Sequence, residues 1–467
     1  MRDAITRMIG ARLRLAGLIV ACWAARPAPA AARLVVDRVV VRGAAKVTMR
    51  VLATRMHLYP GDPVDFAVLS AAEQRLIESD LFSSVRVFID LPTAEAVRRM
   101  YLDDRAYPVE VVVEAVGKHS WFIFPTASFG SGDWAGGLVY ADQNFIGRDV
   151  QLIGAGQLGQ SRSYVFAAFR DPLVAGAPLT YSVSALYRRE QIRFFTNHRL
   201  LMQVPTTVAG GEGQIGWVLS PHTRALLGVS ARHQAVDPAE GLAPDATPLP
   251  YNSRSGRILL LQLQFQYDNT RAPEGLRRGV RLLLKNELSD RYWASDFDYY
   301  KLETRVELYG RLRWNYPSLV LNAVVDYPTS DRGCPVTELL RIGGPTLRGY
   351  LANEFHGDTL VSAQAEDQAV LLRLRLPWTQ VRFIVAGAIF VDAATLLERH
   401  PGGTAVPAPG TLPPPVRSKL DDIHVSFGGG ARIILPGVVI PALKLDVGYG
   451  IDVRSVAVTV SIAGGGL

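Results

Sequence analysis

Hydrophobic and polar residues alternate over most of the chain beyond Trp121. In the segment 261–267 the odd positions are apolar or aromatic and the even positions are glutamines, and the segments 300–308 and 443–449 alternate in a similar way. Side chains of a strand point alternately to its two faces, so each segment predicts a strand with one apolar face. Residues 121–467 contain roughly sixteen such segments, separated by Gly, Pro, Asn and Asp, and are therefore predicted to be all β.

The preceding residues, 34–116, show a mixed pattern. Alternating valines predict a first strand. Helical spacing over 49–56 and 66–79 predicts two helices, with Asp65 as the N-cap of the second, and two further alternating segments predict strands. This β-α-α-β-β order predicts a compact α+β domain of two layers. The charged stretch 91–107 is predicted to be a surface insertion.

Two all-β folds are compatible with about sixteen alternating segments. A soluble sandwich of this size usually divides into two domains, but the sequence shows no linker. A closed membrane barrel has an even number of strands of about ten residues, loops of unequal length, and aromatic residues at the membrane surfaces. Trp121, Trp134, Trp217 and Trp314 lie near predicted strand ends. We therefore predict a transmembrane β-barrel of about 16 strands over residues 121–467.

The first thirty residues have the features of a secretory signal peptide. Arginines at the start precede an apolar run over 15–25, and the small residues that follow predict cleavage after Ala30. A lipoprotein signal that ends at Cys22 is the alternative. Removal of residues 1–30 leaves Cys334 as the only cysteine, so no internal disulfide is expected.

Charge and motif content argue against nucleic-acid binding and against catalysis. The formal net charge of +7 owes much to five arginines within residues 1–30, and the remainder is too small to indicate binding to a phosphate backbone. The string at 154–159 matches a dinucleotide fingerprint, but a predicted strand follows it instead of a helix. No metal-spaced histidine pair, nucleophile elbow or Walker loop is present. We predict no enzymatic activity, cofactor or metal.

Three strings in the β region differ from ordinary strand sequence. Residues 142–147 (DQNFIG) lie at an early hairpin, 169–172 (FRDP) close the next strand pair, and 341–350 (RIGGPTLRGY) lie in a long predicted loop. A single acid follows an otherwise apolar strand at 384–391. The candidate functional residues are Asp142, Asn144, Phe145, Gly147, Asp171, Pro172, Gly343, Gly344, Arg348, Gly349, Tyr350 and Asp392.

Together with the N-terminal unit, these strings resemble the bacterial surface antigen superfamily. Its members are outer-membrane barrels preceded by polypeptide-transport-associated (POTRA) domains, and they include the insertases of the Bam and Tam assembly machines and the two-partner-secretion translocators. Residues 81–87 (LFSSVRV) are similar to the end of a POTRA domain, and GG-x-x-x-RGY at 343–350 is similar to the loop inserted into the barrel. Residues 390–392 (FVD) are similar to the partner motif of that loop.

The resemblance implies that Arg348 lies inside the barrel and pairs with Asp392. A solvent-facing cation on the loop is the alternative. Where the superfamily often has a glutamate on the strand after this loop, the chain has Arg373, so the network of arginine and carboxylate groups is expected to be altered. Glu303 and Glu307, predicted to face the lumen, are the next candidates to anchor the loop.

By resemblance, the protein is expected in the outer membrane with its N-terminal domain in the periplasm. Its partners would be the lipid bilayer, client outer-membrane or secreted polypeptides, and periplasmic accessory proteins, with no nucleic acid. It would insert or pass clients by pairing an exposed strand edge with an incoming strand. A single POTRA domain favours insertion over two-partner-type secretion, and a passive pore or surface antigen is a further alternative. Residues 463–467 lack the usual terminal aromatic, which bears on how firmly the last strand pairs.

Overall fold

The structure is a computed structural model, and it describes residues 34–43, 47–79, 81–90, 107–118, 120–172, 174, 177–196, 199–238, 240–241, 252–272, 275–330, 332–375, 382–397, 423–435 and 442–462. The predicted signal peptide with Cys22, all but the last residue of the predicted insertion, and residues 463–467 lie outside this set. The chain divides into two compact units, and the second begins at Ser120.

The first unit is a four-stranded sheet with two helices. Its elements are β1 (Leu34–Arg42), α1 (Met49–Met56), β2 (Pro63–Val64), α2 (Phe66–Glu78), β3 (Phe82–Asp90) and β4 (Tyr107–Gly117). The sheet order is β2-β1-β4-β3, with β1 and β4 parallel and the other pairs antiparallel. Strand β2 was not predicted, because two residues are too few to show a period.

The core of the first unit explains why these elements form. The side chain of Asp65 caps α2, since its Oδ1 accepts a hydrogen bond from the Val68 backbone N–H at 2.7 Å. The two helices bury Leu52, Met56 and Leu76 against valines of the sheet, which alternate inward along β3 and β4. The helices therefore lie where the helical spacing places them.

The second unit contains nineteen strands among the described residues. They are β5 (Trp121–Gly130), β6 (Asp133–Phe145), β7 (Val150–Gly159), β8 (Arg162–Asp171), β9 (Leu179–Thr196), β10 (Arg199–Ser220), β11 (Thr223–Val236), β12 (Glu240–Gly241), β13 (Gly256–Asp268), β14 (Gly279–Ser289), β15 (Tyr299–Tyr309), β16 (Asn315–Pro328), β17 (Leu340–Ile342), β18 (Phe355–Gly357), β19 (Thr359–Arg375), β20 (Arg382–Leu397), β21 (Ile423–Ile434), β22 (Leu443–Gly450) and β23 (Ser455–Ile462).

Sixteen long antiparallel strands of this set close into a barrel, in which β23 pairs with β5. The two-residue β12 pairs with β10, and β17 pairs with β18 inside a loop. On β13 the side chain of Leu263 is 57% exposed on the outer surface, whereas Gln262 is 1% exposed in the lumen. The closed, apolar-faced barrel confirms the predicted barrel, and the soluble sandwich is wrong.

The two ends of the barrel differ. Short turns connect strands at one end, whereas the segment 329–358 forms a long connection at the other. This segment, the lumenal loop, contains a 3₁₀ turn (Val336–Glu338), β17 and β18, and it contacts side chains on β9, β11, β15, β19 and β20. The string at 154–159 lies in β7 and is followed by β8, as predicted.

The described residues show neither a membrane-spanning helix nor a metal-binding group. No helix there is long and apolar enough to cross a membrane. Within the same residues, no group of three or more His, Cys, Asp or Glu side chains is arranged to hold a metal ion.

Candidate functional site in the barrel lumen

The GG-x-x-x-RGY string bends where only glycine fits. Gly343 and Gly344 have φ values of 137° and 61°, and Gly349 has a φ of 97°. A Cβ atom on Gly349 would lie 2.7 Å from the backbone nitrogen of Gly450 on β22. These glycines therefore let the lumenal loop turn and approach the barrel wall closely.

Arg348 lies at the end of this bend and is 3% exposed. Its Nε and Nη2 atoms donate hydrogen bonds to the two carboxylate oxygens of Asp392 at 2.8 and 2.7 Å, and its backbone N–H donates to Asp392 Oδ2 at 3.1 Å. The guanidinium also lies over the ring of Phe390, 3.4 Å from its centre. The structure thus brings Arg348 and Asp392 together in a bidentate contact, and Arg348 is not a solvent-facing cation.

Two further carboxylates and two further cations complete this group. Arg348 Nη1 donates to Glu366 Oε2 at 2.5 Å and lies 3.7 Å from Asp446 Oδ2. Arg432 Nη2 donates to the same Glu366 oxygen at 2.9 Å, and Arg432 Nη1 lies 2.6 Å from Asp446 Oδ1. We call Arg348, Glu366, Asp392, Arg432, Asp446 and the adjoining Lys444 the arginine cluster. Its three cations and three anions balance, as buried charges require.

The prediction that Arg373 replaces the carboxylate on the strand after the loop, and so alters the network, was wrong. The carboxylate on the strand after the loop is present as Glu366, seven residues earlier on the same long strand. A bulge between Val370 and Leu372 shifts the register of β19 before Arg373, which pairs with Ile384 and belongs to a different level of the barrel. The sequence shows neither the length of β19 nor its bulge, so Arg373 was wrongly matched to the glutamate that the superfamily often has on this strand.

The expected reserve anchors, Glu303 and Glu307, do not take that role. Glu307 accepts a hydrogen bond from Arg305 at 2.7 Å and lies 3.8 Å from Arg277 Nη1. Glu303 lies on β15 opposite Lys285 on β14 and Val324 on β16. Among the described residues, it forms no bond with the lumenal loop.

Arg432 and Asp446 were not predicted. Both lie at inward-facing positions of strands that are otherwise apolar or rich in glycine. A charged residue at such a position could have indicated a buried ion pair.

Tyr350 connects the lumenal loop to the turn between β22 and β23. Its hydroxyl donates to the carbonyl of Val425 at 2.9 Å and to the carboxylate of Asp452, which His424 Nδ1 also contacts. The ring of His424 stacks on Phe355 with centres 3.6 Å apart. Burial alone would raise the pKa of Asp452, but the bonds from His424 and Tyr350 outweigh it and hold that pKa below its ordinary value.

The first half of the lumenal loop is held on another part of the wall. Glu338 accepts hydrogen bonds from Arg232 on β11 and Lys301 on β15, both at 3.1 Å. Arg341 Nη1 lies 2.9 Å from Glu190 Oε1 on β9. The apolar side chains of this half pack into a buried cluster that contains Ile192, Phe194, Val204, Ile258, Leu260, Phe297, Tyr299, Cys334, Val336 and Leu339. The loop is therefore anchored on two parts of the wall.

The two hairpin strings build turns at the end opposite the lumenal loop. Asn144 donates its backbone N–H to Asp142 Oδ1 at 2.9 Å, and its side-chain oxygen accepts from Asp149 N at 2.8 Å. Gly147 has a φ of 73° within this turn, and Phe145 pairs with Val150 across it.

At the next turn of that end, the carbonyl of Asp171, just before Pro172, accepts from the Thr180 hydroxyl at 2.7 Å. The structure thus gives the two hairpin strings turn-forming contacts at the end of the barrel opposite the lumenal loop.

The barrel closes between β23 and β5 through a short ladder, which we call the seam. Four residue pairs are in register there, from Thr459 with Gly130 to Ile462 with Ala127. The other ladders between neighbouring long strands contain seven to eighteen pairs among the described residues. Among the described residues, the seam is therefore the shortest ladder between neighbouring long strands.

Comparison with known proteins bears on this architecture. The Omp85 superfamily domain matches residues 144–455, well over half of the chain. The chain belongs to the Omp85 superfamily. This membership confirms the family resemblance drawn from the sequence, and with the closed barrel it places the protein in the outer membrane. No curated protein matches the chain.

Three solved structures show a similar fold. BamA from Haemophilus ducreyi lacking POTRA domains 1–3 aligns with a TM-score of 0.63 and 16% identity, covering 92% of this chain and 84% of that one. CdiB from Acinetobacter baumannii aligns with a TM-score of 0.54 and 13% identity, covering 92% and 74%. CdiB from Escherichia coli gives 0.50 and 11%, covering 94% and 91%. At these identities the likeness concerns the fold.

Proposed function

We propose that this protein inserts client polypeptides into the outer membrane by offering them a strand edge at the seam. The observation that carries the proposal is the four-pair ladder between β23 and β5. On the described residues, β5 pairs with β6 along its whole length but with β23 only over Ala127–Gly130. Opening of this ladder would free N–H and C=O groups of β5, and such an edge accepts an added strand, with folding of the client driving the pairing.

The lumenal loop favours insertion over secretion as the activity. Its two halves are anchored on different parts of the wall, through Arg348 on one side and Glu338 on the other. A polypeptide that passed along the lumen would have to displace both anchors, whereas a client that pairs at the seam would leave them in place. Secretion of a partner polypeptide is therefore the second candidate.

The first unit has the element order expected of a POTRA domain, and we propose that it is one and lies in the periplasm. In its sheet, β3 is an outer strand and pairs on one side with β4. An outer strand of this kind offers a docking edge to accessory proteins or to arriving clients.

A reversible lock across the seam tests the function. Ser128 and Ser461 are register partners there, so the double substitution Ser128→Cys and Ser461→Cys, in a background with Cys334→Ala, should form a disulfide across it. We expect the oxidised protein in liposomes to assemble a small test barrel at least about tenfold more slowly, and a reductant to restore the rate.

The matched control places the same bond elsewhere in the wall. Ser362 and Ala394 are register partners between β19 and β20, and cysteines at these positions should leave client assembly unchanged. An oxidised seam that still permits full assembly would refute the proposal. Translocation of a polypeptide through a locked barrel would support secretion, and a steady open pore without assembly would support a passive channel.

A further inference from the structure

One sector of the outer barrel surface carries basic side chains near the end that bears the long loops. Arg189 on β9, His233 on β11 and Arg257 on β13 are exposed there. They continue rows of outward-facing apolar side chains, because exposure alternates along each of these strands. His233 and Arg257 are direct cross-strand partners. We call these three residues the basic sector.

Elsewhere on the described strands, the outer face near this end is mainly apolar or aromatic. An exception is Arg193, farther along β9, which donates a hydrogen bond to the Gly132 carbonyl. The outward-facing positions of the other strands are held there by apolar or aromatic residues such as Phe129, Trp134, Leu158, Tyr300, Val361 and Ile423. On the strands themselves, the exposed basic side chains near this end are therefore concentrated on one side of the barrel.

The basic sector lies at the height of a membrane surface. Trp217 on β10 is near the short-turn end, and Thr207, ten residues away on the same strand, pairs with Arg189. At a rise of about 3.3 Å per residue and a strand tilt of about 40°, the two levels are about 25 Å apart, which is the height of the apolar band of an outer-membrane barrel. The three basic side chains thus mark the boundary between lipid tails and headgroups on the loop side.

The surroundings leave the charges available. A cavity of about 370 Å³ beside Arg189 is lined by Tyr187, Gln191, Thr207 and Asp237 among others. Of the described residues, none forms an ion pair with Arg189 or His233. Two carboxylates, those of Asp237 and Asp296, lie near the basic sector.

Asp296 accepts from the backbone N–H of Arg257 at 2.7 Å and lies 3.8 Å from its Nε. Asp237 lies one row beyond Arg189 toward the aqueous side, since its backbone N–H bonds to the Pro205 carbonyl. Neither acid therefore cancels the charge of Arg189.

We propose that the basic sector binds the phosphate-bearing headgroup of a lipid in the loop-side leaflet. A guanidinium matches phosphate in geometry and charge, and both act more strongly at a partly dehydrated membrane boundary. The small side chains of Thr207 and Ala209 on β10 lie between Arg189 on β9 and His233 on β11, and they leave room for the headgroup. This site is independent of the proposed client insertion and lies several strands away from the seam.

The test compares lipid binding by the full-length protein in detergent micelles, measured by native mass spectrometry with diphosphoryl lipid A and with phosphatidylcholine. The triple substitution Arg189→Gln, His233→Gln and Arg257→Gln should weaken binding of lipid A on the order of tenfold or more. The matched control, Arg311→Gln with Arg313→Gln, removes exposed cations from the turn at the other end and should leave binding unchanged.

Each outcome decides the proposal. Heat-modified mobility on gels must show that both variants remain folded barrels, and added salt should weaken binding by the wild type more than by the triple variant. Equal binding of lipid A by the triple variant, or no preference of the wild type for it over phosphatidylcholine, would overturn the proposal. So would full displacement of the lipid by excess inorganic phosphate, because the site would then recognise free phosphate.

Discussion

Strands β9 and β10 and the seam show how unevenly this barrel is closed. Strands β9 and β10 share eighteen residue pairs, whereas β23 and β5 share four among the described residues. Each half of the lumenal loop lies against a different part of this wall. Its first half packs on an apolar cluster with β9, β13 and β15. Its second half is held by carboxylates on β19, β20 and β22.

The lengths of these two ladders bear on where the barrel wall opens. A long ladder must break many hydrogen bonds together, so the wall between β9 and β10 is expected to open at a larger cost in free energy than a shorter ladder. The first half of the loop packs into one buried apolar cluster, and the second half combines its ion pairs with a smaller apolar cluster around Leu347 and Tyr350.

The largest effect is expected from a side chain added at the seam. Gly130 has a φ of 123°, and a Cβ atom there would lie 1.9 Å from the carbonyl oxygen of Val458. Gly130→Ala should therefore separate β5 from β23 and destabilise the closed barrel by on the order of 1–3 kcal/mol or more. The measurement is the temperature above which the protein no longer migrates as a folded barrel in gel electrophoresis.

Strand β10 supplies the control for this substitution. Gly213 faces open space on β10, where a Cβ atom would meet nothing within 4 Å. Gly213→Ala should leave the transition temperature unchanged. Equal shifts for both substitutions would mean that the seam is no weaker than the wall between β9 and β10.

The second prediction concerns the arginine cluster. Arg348→Ala and Asp392→Ala should each slow client assembly by a similar factor, because either leaves a buried charge without its partner, at a cost on the order of 1–3 kcal/mol. The double variant should be little worse than either single one. Glu303→Gln, on the same barrel but outside the cluster, is the control. Additive losses would show that the two residues act separately.

The sequence predicts some of these features better than others. Period-two alternation identifies the barrel strands, because half of every strand faces lipid, and the helical spacing around Asp65 identifies α2. The pairing of Arg348 with Asp392 was expected only from the family resemblance. Glu366, Arg432 and Asp446 reach the same point from three strands, and their meeting depends on registers that one sequence does not specify.

The smallest effect is expected from the link between the lumenal loop and the turn beside the seam. Tyr350→Phe removes one hydroxyl that donates to the Val425 carbonyl and to Asp452, at a cost of about 1 kcal/mol. The pKa of Asp452 is held below its ordinary value of 3.8, so the stability that its charged form contributes is present above that value and is lost as the pH falls through the lowered pKa. The difference in transition temperature between wild type and Tyr350→Phe should therefore be larger at pH 7 than under acid conditions below that pKa. Tyr449→Phe, on the outer face of β22, should have no effect at either pH, and a difference for Tyr350→Phe that does not change with pH would show that the bond to Val425 alone carries the link.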